Sequence, residues 1–303
     1  MHDPIQQAAD HRKGLAITAF GGLALTVDIP LIRLSESDAW SALAVRSALT
    51  FVAAIVAWSF IRFALKRKLP IIPGKAGLLV VTLYGIASIT FILAVYNTST
   101  ANLVFILAFN PMFSALLAWW FAGEKPKAQT FAAMIVMILG VSLIVADGMK
   151  AGNLTGDLLA LASSLILAGA ITASRKARVD MGFAPLFAAI VPSLIGLAMV
   201  GGPSGLVLGD PQWLVLNGLV VIPIAFWCLA TGPRYISGPE VAMFYLLETI
   251  LAPVWVWMIF AEAPTRMGLV GGGVIVAALV AHSVWQLSAH KRAARSLAPR
   301  HPV

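Results

Sequence analysis

AVYNTSTANLVFILAFNPMFSALLAWWFAGEKP, residues Ala94 to Pro126, decides the fold, because a degenerate copy of it returns at Pro233 to Pro264. Tyr96, Phe105, Leu107, Phe121 and Ala122 recur 139 positions later as Tyr235, Phe244, Leu246, Phe260 and Ala261. After a one-residue deletion, Glu124 and Pro126 recur as Glu262 and Pro264. Internal self-similarity of this kind marks a repeated structural unit.

The stretch lies in a chain of 303 residues that is 60% apolar and 11% charged, with a mean hydropathy of +0.90. That composition excludes a soluble globular protein and reads as a polytopic membrane protein. Ten apolar segments are expected to span: Gly14–Ile32, Ala39–Ile61, Ala76–Asn97, Ser99–Phe121, Ala128–Ala146, Leu158–Ser174, Met181–Gly201, Pro211–Thr231, Val241–Phe260 and Met267–Leu287. Each approaches the ~20 residues that cross a bilayer as a helix, the sixth being short. Continuous apolar runs satisfy their own backbone as helices, whereas barrel strands alternate over shorter stretches. The first segment is full length and reads as a span rather than a cleaved signal peptide.

The net charge of +8 invites a nucleic-acid reading, but the positions of the cations oppose it. With a cytoplasmic N-terminus, seventeen Lys and Arg fall in inner loops and tails, against Arg33, Lys150 and Arg266 outside and Arg46 within a span. This asymmetry predicts that both termini are cytoplasmic and that the basicity is topological. The single cysteine, Cys228, excludes an internal disulfide.

Five spans precede residue 149 and five follow it, and an odd number of crossings makes the second copy enter from the opposite side. The expected fold is therefore an all-α membrane protein of ten transmembrane helices in two inverted five-helix repeats, 1–148 and 149–303, around a central cavity.

Three spans carry one charged residue each, Asp28, Arg46 and Glu248, and an intramembrane charge faces a bundle interior or a cavity. Asp28 and Arg46 lie at similar depths, roughly 9 and 12 Å, so neighbouring antiparallel helices bring them within reach. They read either as a structural ion pair or as a guanidinium fork offered to a substrate carboxylate. Glu248 lies near mid-membrane with no obvious cation beside it, which leaves it either protonated or facing a ligand's cation. Asn110, followed by Pro111, reaches the same depth and aligns with Thr249, beside Glu248. Tyr84 and Ser88 share a face of the third span, Tyr245 and Glu248 share one of the ninth, and Trp227 sits in the inner half of the eighth. Each of these aromatics has a packing or lipid-contact alternative. Pro185, Pro192, Pro223 and Pro253 are candidate hinges. Gly268 and Gly272 offer a close-packing face on the tenth span. Glu124 and Glu262 read as caps for the helix that follows each turn.

The double motif, with its small-residue segment, proline and G-E turn in the first copy, resembles the EamA-type branch of the drug/metabolite transporter superfamily, and Arg46 matches an arginine of that family's second helix. Within it the chain is most similar to the YddG-type exporters of aromatic and other amino acids. The resemblance implies a central cavity, alternating access and export of an amino acid across a bacterial inner membrane, with protons as a candidate coupling ion. The second copy departs from the pattern, because Gly123 has no counterpart before Glu262 and Pro253 does not fall where Pro111 predicts.

The substrate-binding set expected on this basis is Tyr84, Ser88, Asn110, Trp227, Tyr245 and Glu248, with no cofactor, metal or nucleic acid and an open oligomeric state. Export of another small metabolite or a cationic drug is the alternative. An intramembrane enzyme is disfavoured, since the chain has no H-E-x-x-H pair, no P-loop, no close acid pair in a span and no nucleophile evident beside His282. A channel stays open as a more remote alternative.

Overall fold

Prolines decide where these helices break. A proline inside a helix has no N–H for the carbonyl four residues back and crowds that carbonyl, so the ladder opens one turn N-terminal to it. In the computed structural model, which describes residues 4–64, 66, 72, 74–123, 125–177, 183–231, 235–236 and 238–297, this happens four times. Ahead of Pro30, α1 (Pro4–Leu25) stops and α2 (Asp28–Leu34) begins after a turn at Thr26 and Val27. Ahead of Pro111, α5 (Thr100–Leu107) gives way to α6 (Asn110–Ala122) through Ala108 and Phe109. Ahead of Pro192, α9 (Ala184–Phe187) and α10 (Ile190–Met199) part at Ala188 and Ala189. Ahead of Pro223, α11 (Pro211–Leu216) and α12 (Ile222–Thr231) are joined by a π-helical turn, Asn217–Val221.

The first three breaks tighten to i→i−3 bonds, such as Thr26 N to Leu23 O at 3.1 Å and Phe109 N to Ile106 O at 3.1 Å. The carbonyl that Pro111 strands, Leu107 O, accepts the Ser164 hydroxyl at 3.5 Å. Of the expected hinges, Pro192 and Pro223 follow interruptions, Pro185 opens α9, and Pro253 lies inside an unbroken α13 (Gly238–Phe260).

The remaining helices are α3 (Ala39–Phe63), α4 (Gly74–Asn97), α7 (Ala128–Ala151), α8 (Leu154–Ala177) and α14 (Arg266–Leu297). No strand occurs among the described residues. Eight helices are long and apolar enough to cross a membrane, and two shorter apolar stretches, Ala184–Met199 and Phe244–Phe260, stand where the seventh and ninth spans are expected. The sixth is not short: α8 begins at Leu154, which draws Asp157 into the helix. Local chemistry starts two of the helices. Asp38 caps α3 by accepting from Trp40 N at 2.9 Å and Ser41 N at 3.2 Å, and Ser99 caps α5 by accepting from Asn102 N at 3.2 Å.

The main packing pairs are α4 with α8, α7 with α14, α1 with α12, and α3 with α10. α7 and α14 come closest at Gly140 and Gly271, where a Cβ on either glycine would stand within 2.8 Å of the other's carbonyl oxygen. Gly268 and Gly272 face Asn102 and Phe105 of the same chain, so this small-residue face serves internal packing.

One large core runs from Ile29, Ile32 and Leu43 through Ile92, Val95 and Leu103–Ile106 to Met137, Ile144 and Ile275, filling the half of the bundle that holds the α4–α5 turn. The opposite half packs as separate groups, Leu25, Ala54, Phe187, Ile222 and Leu229 in one and Val80, Val81, Ala184 and Ala188 in another.

The repeated turn is where sequence alignment and geometry part. α6 ends on Gly123 in the left-handed region (φ 71°), and its N–H donates to Trp119 O at 3.0 Å. α13 ends in the same way on Ala261 (φ 54°), with its N–H to Trp257 O at 3.0 Å. Ala261 is thus the structural counterpart of Gly123, and the deletion lies ahead of this turn. A left-handed alanine costs about 1 kcal/mol more than glycine. Ala261→Gly is expected to stabilise the protein by about that amount and Gly123→Ala to destabilise it similarly. Equal thermal midpoints for parent and both variants in detergent would refute the assignment.

Candidate functional site

Asp28, Arg46 and Asn217 form the most heavily bonded polar group described in the bundle interior. The break before Pro30 makes Asp28 the first residue of α2, α3 supplies Arg46, and Asn217 opens the π turn. Arg46 Nη2 donates to both Asp28 oxygens, at 3.0 and 2.9 Å, and its Nε donates to Asn217 Oδ1 at 2.8 Å. The Asn217 amide in turn donates to Asp28 Oδ1 at 2.7 Å and to Asp28 O at 3.1 Å. All three are nearly inaccessible, at 3%, 7% and 0% exposure respectively, so each charge and dipole depends on the other two. The Arg46 guanidinium also stands over Phe91, 5.9 Å from its centroid.

These bonds use Nε and Nη2, and none of the described bonds uses Nη1. Of the two sequence readings of this residue, the ion pair with Asp28 is the one the structure contains.

Tyr84 and Ser88 lie on α4, and Tyr245 and Glu248 on α13. Tyr84, Ser88 and Phe91 recur at i, i+4 and i+7 on α4, so the face that meets Arg46 at Phe91 continues to Tyr84. Tyr245 interacts electrostatically with Tyr84 and with Glu248, and Glu248 with both Asp28 and Arg46. The described ion pair of Arg46 goes to Asp28, and no described hydrogen bond or ion pair reaches Glu248. Tyr245 is 42% exposed. Ser88 and Glu248 are half-buried. Trp255, seven residues beyond Glu248, donates its indole N–H to the Thr26 hydroxyl at 3.0 Å, fixing this α13 face against the α1–α2 break.

The other expected residues do not converge here. Asn110 starts α6 and donates its amide to Ser164 O on α8 at 2.8 Å, which makes it a tie between helices. Trp227 is 57% exposed on the same side of its helix as Val220 and Ile224, an apolar outward stripe, and no described contact joins it to Tyr245 or Glu248. Glu262 does not cap the helix after its turn. It accepts from Thr100 N at 3.0 Å, at the start of α5, and pairs with Arg33. Glu124 lies outside the described residues. His282 has a described partner in the Thr130 hydroxyl at 3.0 Å.

Asn217, Arg33 and Asp157 were not singled out from sequence. Asp157, wholly buried, accepts from the Thr98 hydroxyl at 2.6 Å and the Asn102 amide at 3.4 Å, stitching α8 to the α4–α5 turn. Asn217 had a usable signal, as an amide well inside an apolar span six residues before a proline.

An all-helical membrane bundle with this interior defines a class, the polytopic membrane transporters. The EamA-like transporter family model matches residues 14–146 and again 154–284, and the chain belongs to that family. It is 24% identical over 230 residues to an uncharacterized transporter of Clostridium kluyveri, covering 72% of each chain. It is 21% identical over 198 residues to a protein of Pseudomonas aeruginosa named pseudopaline exporter CntI, covering 64% of this chain and 70% of that one. One crystal structure superposes with a TM-score of 0.60 at 16% identity, covering 89% of this chain and 96% of the other, a likeness of fold.

Breaking the buried pair on one side leaves an uncompensated charge, which costs about 3–5 kcal/mol. Asp28→Asn and Arg46→Met are each expected to lose that much stability in detergent, with the double variant losing clearly less than the sum. Additive losses in this double-mutant cycle would show that the two groups are not coupled.

Proposed function

We propose that this chain exports amino acids, aromatic and other apolar ones, from the cytoplasm across a bacterial inner membrane by alternating access. The observation that carries the reading is the buried Arg46–Asp28–Asn217 group, in which no described bond uses Arg46 Nη1. On this reading Arg46 Nη1 offers donors to a substrate carboxylate, Glu248 offers a carboxylate to a substrate ammonium, and Tyr84, Tyr245 and the Phe91 ring that stands under Arg46 contribute aromatic surface. Asp28 offsets the charge of Arg46, which leaves the Glu248 carboxyl as the group available to an amine.

Ten spans in two inverted repeats complete the reading. Under exchange of span n with span n+5, the pairing of α4 with α8 maps onto that of α12 with α1, while α7–α14 and α3–α10 map onto themselves. The family model's two matches support the same division. The positive-inside distribution puts the α4–α5 turn outside, so the single dense core closes the outer half and the separately packed groups leave the inner half to open toward the cytoplasm.

A second reading, export of another small metabolite, is favoured by the resemblance to a protein named for exporting pseudopaline. Counterflow of labelled phenylalanine in proteoliposomes separates the two, since only a carrier of that substrate shows trans-stimulation. Glu248→Gln, which removes a titratable charge without changing shape, is expected to cut counterflow at least tenfold and to flatten its pH dependence. Unchanged counterflow and an unchanged pH profile would overturn the role of Glu248.

A further inference from the structure

At the end of the bundle that holds the α4–α5 turn, a shallow hollow of 540 Å³ is lined by Arg33, Tyr96, Asn97, Ser99, Asn153 and Glu262 among others. Its size falls within the range of small-molecule sites. Its lining is polar and comes from both halves of the chain, which distinguishes it from the lipid-facing grooves of the same surface.

The chemistry centres on Arg33 and Glu262. The Arg33 guanidinium pairs with Glu262 through Nη1, and through Nη2 donates to Val95 O at 3.2 Å and Thr98 O at 2.9 Å. Its Nε–H is buried without any partner. Glu262 spends its other oxygen on Thr100 N. The end of the bundle is thus closed by one cation–anion couple bridging α2 and the α13–α14 turn, and that couple leaves a buried donor unsatisfied. A ligand carrying both charges can replace each partner of the couple with its own, a carboxylate on Arg33 and an ammonium on Glu262, and can supply the acceptor that the Arg33 Nε–H lacks. A ligand with one charge can satisfy only one partner and strands the other.

We propose that this hollow is a binding site for a small zwitterion, an exit vestibule in which the ligand exchanges places with the Arg33–Glu262 couple as that end opens. The inference rests on the amino acid reading of the central site for its direction, but not for its chemistry.

Asn97, exposed at the rim, tests it. Cys228 is the only cysteine, so Asn97→Cys in a Cys228→Ser background gives one reactive thiol. Its labelling by a membrane-impermeant maleimide is measured in oriented proteoliposomes with millimolar phenylalanine, phenylalanine methyl ester or N-acetylphenylalanine. Phenylalanine is expected to slow labelling at least threefold, the two singly charged analogues to leave it within error of the ligand-free rate, and either Arg33→Gln or Glu262→Gln to abolish the protection. Labelling that phenylalanine does not slow, or that the methyl ester slows equally, overturns the vestibule. Phenylalanine counterflow is read on the same preparation. Protection without counterflow supports the vestibule and refutes the export reading, whereas counterflow without protection refutes the vestibule alone.

Discussion

A guanidinium carried into a bilayer must bring its partners with it, and the rest of this bundle is arranged around that requirement. Arg46 on α3 holds Asp28 on α2 with two hydrogen bonds and Asn217 on the π turn with a third. These contacts draw the first, second and eighth apolar segments to one point in the bundle interior. Asn217 contributes through both ends of its amide, accepting from Arg46 and donating to Asp28, so each member of the triad orients the other two. A half-satisfied network of this kind would be worse than an apolar core, which is why the triad fixes the relative positions of its helices so firmly.

The backbone irregularities serve the same end. Helices interrupted before Pro30 and Pro223 present Asp28 at a helix start and Asn217 on a π turn, positions that an unbroken α-helix would rotate elsewhere. Irregular backbone at membrane depth is tolerated where it is buried in protein or lines a cavity, and both interruptions sit against the triad. The indole of Trp255 then ties the Thr26 break to the α13 face that carries Glu248. Chain breaks, buried charges and the proposed binding face are parts of one arrangement rather than separate features.

Much of this was legible in the sequence, and the parts that were not share a cause. Hydropathy set out the apolar segments, and equal depth was enough to suggest that Asp28 and Arg46 meet. Tyr84, Tyr245 and Glu248 could be grouped because helical periodicity gives the face and span position gives the depth. Asn217 escaped because amides carry no charge and apolar spans hold several, so only the partner reveals the important one. Asn110 and Trp227 were misleading for the complementary reason: sequence gives their depth but not the azimuth of their helices about the bundle axis, and that angle decides between cavity, neighbouring helix and lipid. Glu262 was assigned to capping correctly in kind, yet its cap lies on a helix more than 160 residues away in sequence, which no local rule can find.

The repeat that opened the reading is more symmetric in scaffold than in chemistry. Gly123 and Ala261 end equivalent helices with the same left-handed cap, although only one of them is the residue that such a cap favours. At mid-depth the copies diverge further. The first copy places Asn110 at a proline break and spends its amide on Ser164 O, while the second runs an unbroken helix past Pro253 and presents Glu248 to the interior. An inverted repeat with identical sites would offer a substrate the same contacts twice, which suits a symmetric ligand. A ligand with an ammonium at one end and a carboxylate at the other needs one half to supply the acid and the other the guanidinium. Arg46 in the first half and Glu248 in the second meet that need, and Arg33 and Glu262 divide between the halves in the same sense. On the proposed amino acid reading, it is this divergence of the copies that suits a repeated scaffold to a two-ended cargo.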